Sequence, residues 1–157
     1  MMLKRILFPV LMIILVMSCK KDEGGFTRVK AIENQIYLSV KEYRESNNQT
    51  GPFVLQYLMV EEAQLYSYKM AGSLEPLGTQ GLDEHWDRLD EKYTFYNRTA
   101  LVMKTDAAYE EEILSELLLL PGADSILLTD VTQCGVGLEA DTAGISYLTI
   151  MLAKADS

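Results

Sequence analysis

Apolar residues return every three or four positions at Val29, Ile32, Ile36, Val40 and Tyr43. That is the spacing of one helix face, so residues 28–46 are expected to form an amphipathic helix. The polar, turn-rich stretch "ESNNQTGP" ends it. A second helical period at Met59, Ala63, Tyr66 and Met70 predicts a helix over residues 55–72, stopping near Gly72 and Ser73. "LEPLGTQG" follows as a loop broken by Pro76, Gly78 and Gly81, and Leu82 to Asp90 reads as a short charged helix. From Tyr93 to Lys104 aromatic and β-branched residues predict a strand. Asp106 is placed to cap the next helix, and Glu110, Glu111 and Glu112 match the positive end of its dipole. Ile113, Leu114 and Leu117 give that helix its buried face, and Pro121-Gly122 stops it. Two apolar segments, Val131 to Ala140 and Ile145 to Ala153, close the chain as a hairpin with Tyr147 to Leu152 strongly buried.

The order helix, helix, short helix, strand, helix, strand, strand predicts an α+β fold. Its architecture is a three-layer α-β-α sandwich, with a small antiparallel sheet of about three strands flanked by about four helices.

The first residues read differently. Lys4 and Arg5 precede an apolar run, Ile6 to Met17, of about a dozen residues, short of the roughly 20 that a membrane-spanning helix needs. Residues 1–18 therefore read as a signal peptide, ending in Val16-Met17-Ser18-Cys19, which resembles a bacterial lipobox. On that reading Cys19 is lipidated, residues 19–27 are a flexible charged tether, and residues 28–157 are the folded domain. The Lys21-Asp22-Glu23 tether resembles those of Bacteroidota lipoproteins, which implies an outer-membrane lipoprotein displayed at the cell surface, with a periplasm-facing domain as the alternative. The membrane is then a partner through the lipid anchor alone.

The formal net charge of −9 becomes more negative once Lys4 and Arg5 leave with the leader. Such a domain has no electrostatic basis for holding nucleic acid. With Cys19 committed to lipid, Cys134 has no partner for an intrachain disulfide and reads as a small buried hydrophobe.

Four stretches, in order, resemble the CAP superfamily of cysteine-rich secretory, antigen 5 and pathogenesis-related proteins, also called SCP-like domains. "EEAQLYSYKMAGS" is similar to the family's Ala-Gln-x-His-Ser-x-x-Met-Ala helix. "PLGTQGLDEHWDRL" is similar to its Pro-Phe-Gly-His-x-Gly-Phe-x-x-Arg loop and helix. "LLLLPGADSIL" stands in the place of Trp-x-x-Ser-Pro-Gly-His-Arg-x-x-Ile-Leu. "CGVGLEADTAGISYLTIMLAKA" is similar to the closing hairpin.

The resemblance implies a cleft holding two His and acidic residues, a set suited to a divalent metal or to general acid/base work. Position by position this chain lacks them. The first His falls on Thr79 and the second on Ala123, followed by Asp124 where the family has Arg. The Glu-Asn pair falls on Tyr96-Asn97, and Tyr66 stands where the helix often has His. Asp124 reads as a cap for the turn after it, and the lone His85, aligned with the loop's Arg, as a polar residue on an exposed helix.

No catalytic residue, metal ligand or cofactor is expected. Tyr66, Thr79, Tyr96, Asn97, Ala123 and Asp124 are the candidates to line the former cleft. The function expected is non-catalytic binding of a small apolar or glycan ligand, or of an envelope or host protein. The alternative is a hydrolase or metal-dependent enzyme with a relocated site, built from Asp124, His85 and Tyr96.

Overall fold

A computed structural model describes residues 28–155. The leader, Cys19 and the tether lie outside the described residues. The elements are α1 (Ala31–Ser46), β1 (Val54–Leu55), α2 (Tyr57–Ala71), α3 (Asp83–Asp90), β2 (Phe95–Thr105), α4 (Glu110–Leu118), α5 (Ala123–Leu127), β3 (Gln133–Ala140) and β4 (Ser146–Ala155). No helix among the described residues is long and apolar enough to cross a membrane.

The sheet runs β1-β3-β4-β2, with β4 antiparallel to both β3 and β2. It is therefore mixed and four-stranded rather than antiparallel with three strands. β1 is a two-residue piece pairing parallel to the start of β3, where Val54 N–H donates to Thr132 O at 3.0 Å and Gln56 N–H to Cys134 O at 2.8 Å. A pair of residues after a proline carries no period, so Leu55 joined the following helix in the sequence reading. That helix starts at Tyr57, where the Gln56 side chain accepts from the N–H groups of Leu58 and Met59.

Two buried clusters lie on opposite sides of the sheet, giving the three layers expected. Along the central strand β4, Leu148, Ile150 and Leu152 join Ile36, Val40, Ile113, Leu117 and Leu127 under α1, α4 and α5. The alternating positions Met151 and Ala153 join Met59, Ala63, Tyr66 and Trp86 under α2 and α3. A strand covered on both faces reads as a near-continuous apolar run, as Leu148 to Ala153 does with Thr149 as its one polar member.

α2 lies unusually close to β3. A Cβ on Gly135 would come within 2.3 Å of the Met59 carbonyl, and one on Gly137 within 2.2 Å of Ala63 C, so only glycine admits the helix backbone there. Ser67 fastens the contact, its hydroxyl 2.9 Å from Gly137 O and 2.8 Å from Thr149 Oγ1.

In β2, register slips by one residue between Tyr96 and Thr99, with Asn97 at φ 50°. This bulge reverses the alternation: Phe95 packs on the α2 side, whereas Leu101 and Met103 pack on the α1 side.

Two local expectations change. Asp106 does not cap α4, whose N-cap is Tyr109. Past α4, Leu120-Pro121-Gly122-Ala123 forms a turn closed by Ala123 N–H to Leu120 O at 3.1 Å. Gly122 sits at φ 79°, ψ 0°, the conformation a type II turn needs after proline. The five-residue α5 then follows rather than a capped turn, and Asp124 does not serve as the cap: its carboxylate accepts the Tyr43 hydroxyl.

Candidate functional site

The six residues expected to line one cleft fall in three places. Tyr66 is fully buried under α2 and α3, with the exposed Thr79 in the loop that its hydroxyl holds. Tyr96 and Asn97 are exposed at the β2 bulge, where Asn97 Nδ2 donates to Asp130 O at 3.1 Å. Ala123 is buried in the cluster across the sheet from Tyr66, and Asp124 is bonded to Tyr43 of α1. Tyr66 and Ala123 thus lie in clusters on opposite sides of the sheet, while Tyr96 and Asn97 are neighbours at the bulge. Open grooves of about 510, 440, 270 and 170 Å³ are among those along the described surface. None of these is lined by any of the six residues.

Tyr66 fills its own place. Its hydroxyl donates to Gly78 O at 2.8 Å and accepts from Gly81 N–H at 3.3 Å, which fixes both ends of the Gly78–Gly81 turn. Burial pushes the phenol above its ordinary value of 10.0. The ring meets His85 edge-on, with centroids 5.1 Å apart.

His85 is not exposed. It is fully buried, because Leu82, His85, Trp86 and Leu89 form the inward stripe of α3. Its Nδ1 lies 2.7 Å from Glu62 Oε2 of α2 and 2.8 Å from Arg88 Nη2. Arg88 also grips the carboxylate, with Nη2 donating to Oε2 at 2.6 Å and Nε to Oε1 at 3.0 Å. Burial acts to raise the Glu62 carboxyl, but the bonds from His85 and Arg88 outweigh it and hold the group below its ordinary value.

An ionised carboxylate can only accept, so Nδ1 carries the proton that joins His85 to Glu62. The remaining ring nitrogen, Nε2, is buried without a hydrogen-bond partner. An oriented His–carboxylate pair is the arrangement of a general base, but its working nitrogen must reach the proton it abstracts. Here that nitrogen is sealed inside, and the cluster cross-links α2 to α3.

Glu62 and Arg88 were missed as members of this cluster. The available signal was positional: Glu62 lies one turn from Met59 and Tyr66, at the border of the apolar face. Among the described residues, His85, Asp124 and Tyr96 share no hydrogen bond, so the relocated relay is not formed. Nor do those residues bring three or more His, Cys, Asp or Glu side chains into a metal-binding group. Cys134 is buried in the α1-side cluster, and burial pushes its thiol far above its ordinary value.

No family profile matches the chain, and no curated protein matches it in sequence. Solved structures do. One is an outer surface protein from Borrelia burgdorferi, with a TM-score of 0.69 at 15% identity, covering 82% of this chain and 96% of that one. Another is an extracellular protein containing an SCP domain from Bacillus anthracis, with a TM-score of 0.60 at 17% identity. That match covers 83% of this chain and 45% of the other. The CAP-like fold implied by the four motifs is thus the fold of a solved SCP-domain protein.

Proposed function

We propose that this chain is an exported domain, tethered through Cys19 to a bacterial outer membrane and displayed at the cell surface, that acts by binding rather than by catalysis. The observation that carries this reading is Tyr66. It stands where the resemblance puts a cleft His, is fully buried, and has its hydroxyl committed to Gly78 and Gly81. Support for the location comes from the leader and tether, and from neighbours described as an outer surface protein and an extracellular protein. The partner is an envelope or host protein met by an exposed face, a reading favoured over an engulfed small ligand by the open grooves.

The test uses cells making the full chain and a Cys19→Ala variant. The wild type is expected in the outer-membrane fraction and open to protease on intact cells, with the variant released from the membrane. The purified chain, assayed on ester, peptide, phosphate and glycoside substrates with and without divalent cations, is expected to show no turnover. A wild type that stays soluble or protease-protected would overturn the location. Turnover lost in Asp124→Ala or Tyr96→Phe would overturn the non-catalytic reading.

A further inference from the structure

The two edges of the sheet are finished differently. Successive strand residues point their N–H and C=O groups to opposite edges, so one bond of known direction orients a whole strand. Val54 and Gln56 donate to the carbonyls of Thr132 and Cys134, so Cys134 faces β1. Leu138 has the same parity and also faces outward, beyond the end of β1, where side chains cap it. Its N–H donates to Glu33 Oε1 at 3.0 Å and its C=O accepts from Lys30 Nζ at 2.7 Å.

The opposite edge carries no such closure. Gln133, Gly135 and Gly137 face β4, where they oppose Ala153, Met151 and Thr149. The intervening residues Leu148, Ile150 and Leu152 therefore turn to β2, opposite Met103, Leu101 and Thr99. Ala100, Val102 and Lys104 are left with their N–H and C=O groups directed away from the sheet. Among the described residues nothing bonds to those groups. Ala100 and Val102 are half-buried and Lys104 is exposed, so the edge can be reached. Such an edge is a row of donors and acceptors spaced to match another strand, and it takes up an extended segment by adding to the sheet. The bulge at Asn97 and the charge of Lys104 blunt its two ends, which leaves residues 99–103 regular and uncharged between them.

Charge identifies the occupant. Where β2 ends, Asp106 and Ala107 line an open groove of about 510 Å³ with Glu111, Glu112, Ser115 and Glu116. The Thr105 hydroxyl joins this groove to the strand, bonding to Glu116 and accepting the Ala107 N–H at 2.9 Å. None of the four carboxylates pairs with a cation among the described residues. Lys104 lies on the other face, in the groove with Met70, Leu77 and Tyr147. A second copy of this chain is the poorer occupant. It carries the same net charge of −9, and the Arg98 that antiparallel self-pairing would bring towards these acids is already held by Asp90.

We propose that residues 99–105 of β2 take an extended segment of another protein as a fifth strand, uncharged in its middle and carrying Lys or Arg at the end beside Thr105. Its backbone meets Ala100, Val102 and Lys104, and its basic side chain meets the carboxylates of Asp106, Glu111 and Glu112. The inference rests on the binding reading above and names its surface.

The test selects a phage-displayed random-peptide library on the immobilised full chain, and the consensus peptide is synthesised. Residue-resolved hydrogen exchange reads the edge. In the free chain the Ala100, Val102 and Lys104 amides are expected to exchange about tenfold faster than those of Thr99, Leu101 and Met103, which β4 holds. Bound peptide is expected to slow the first three about tenfold and leave the others unchanged. Methylating alternate peptide nitrogens is expected to abolish binding in one phase of the alternation and spare it in the other, with no change to the protein. A Glu111→Lys, Glu112→Lys double variant, altered only at exposed positions and checked for fold by circular dichroism, is expected to bind about tenfold more weakly. No enrichment, a consensus without Lys or Arg, both sets of amides slowed alike, or affinity indifferent to N-methylation or to the double variant would overturn the proposal. So would dimerisation that protects the same three amides without peptide, which assigns the edge to a second copy. Turnover and surface display are read in the separate experiment above, so this edge can fail while the binding function stands.

Discussion

The two faces of the sheet solve the same packing problem with different materials. Under α1, α4 and α5 the core is mostly branched and aliphatic, and the buried charges are spent mainly on backbone. Arg44 of α1, 3% exposed, donates through its guanidinium to the carbonyls of Leu127, Thr129 and Val131. Glu33, fully buried, accepts from the N–H groups of Lys30 and Leu138 and from Gln64 Nε2. Under α2 and α3 the contacts are smaller and softer, Ala63, Met59, Met70 and Met151 against two glycines, and the half-buried Glu62 and Arg88 answer one another beside the buried His85. Backbone groups cannot titrate or move away, whereas side-chain partners can do both. The first face is fastened for rigidity, and the second depends on close approach and on the ionisation of Glu62.

Arg44→Met is expected to do the greatest damage. It keeps most of the stem but strips three buried carbonyls of their donors, a loss of about 4 kcal/mol by the usual cost of unmaking bonds to a buried charge. Urea unfolding at neutral pH measures it, and a loss below about 1 kcal/mol would remove the distinction drawn between the faces. On the opposite face, Gly137→Ala places a methyl 2.2 Å from the Ala63 backbone, so α2 must lift. About 3 kcal/mol is expected, at the upper end of overpacking costs. Gly51→Ala, where a Cβ meets nothing within 4 Å, is the matched control and should cost little.

The asymmetry also explains what could be read in advance. Helical and strand periods placed α1, α2, α4, β3 and β4 to within a few residues, because each has a long apolar face. β1 and α5 are two and five residues long, and no period can form in them. The bulge at Asn97 was invisible because Phe95, Leu101 and Met103 share one parity, although the structure sends Phe95 to the other face. Of the four leucines Leu117 to Leu120 only Leu117, on the expected buried face, is fully buried, and Leu119 is 83% exposed, since successive helical residues turn to different sides. His85 was legible and misread. Leu82, His85, Trp86 and Leu89 already have inward spacing, and the charges around them masked it. The cleft is a different case: alignment to a family assigns positions in order but does not say that their side chains face one hollow.

Glu62 gives the softer face its pH signature. Its carboxyl is held below the ordinary value of 4.5, so as pH falls the unfolded chain takes up this proton before the folded one. The stability it contributes is complete above the ordinary value and is lost as pH drops through the lower, folded value. Glu62→Gln keeps the shape but weakens the bonds from His85 and Arg88, with an expected loss of about 2 kcal/mol at neutral pH. The loss should shrink as pH falls below about 4, because the wild type then surrenders the same contribution. A deficit constant from neutral pH to about pH 3, followed by urea unfolding, would mean that the carboxylate charge is not what joins α2 to α3.

The smallest effect separates the Tyr66 hydroxyl from its ring. Tyr66→Phe retains the packing against His85 and Met70 and removes the two bonds that hold the Gly78–Gly81 turn. About 1 kcal/mol of stability should be lost, the ordinary net value of such bonds. Hydrogen exchange gives the sharper reading. The Gly81 amide donates to that hydroxyl, so its protection should fall, while the Gly137 and Thr149 amides in the sheet stay unchanged. If protection drops across β3 and β4 as well, Tyr66 supports the whole face and not the loop. The Gly78–Gly81 turn would then owe its shape to the sheet beneath it rather than to the one phenol hydroxyl.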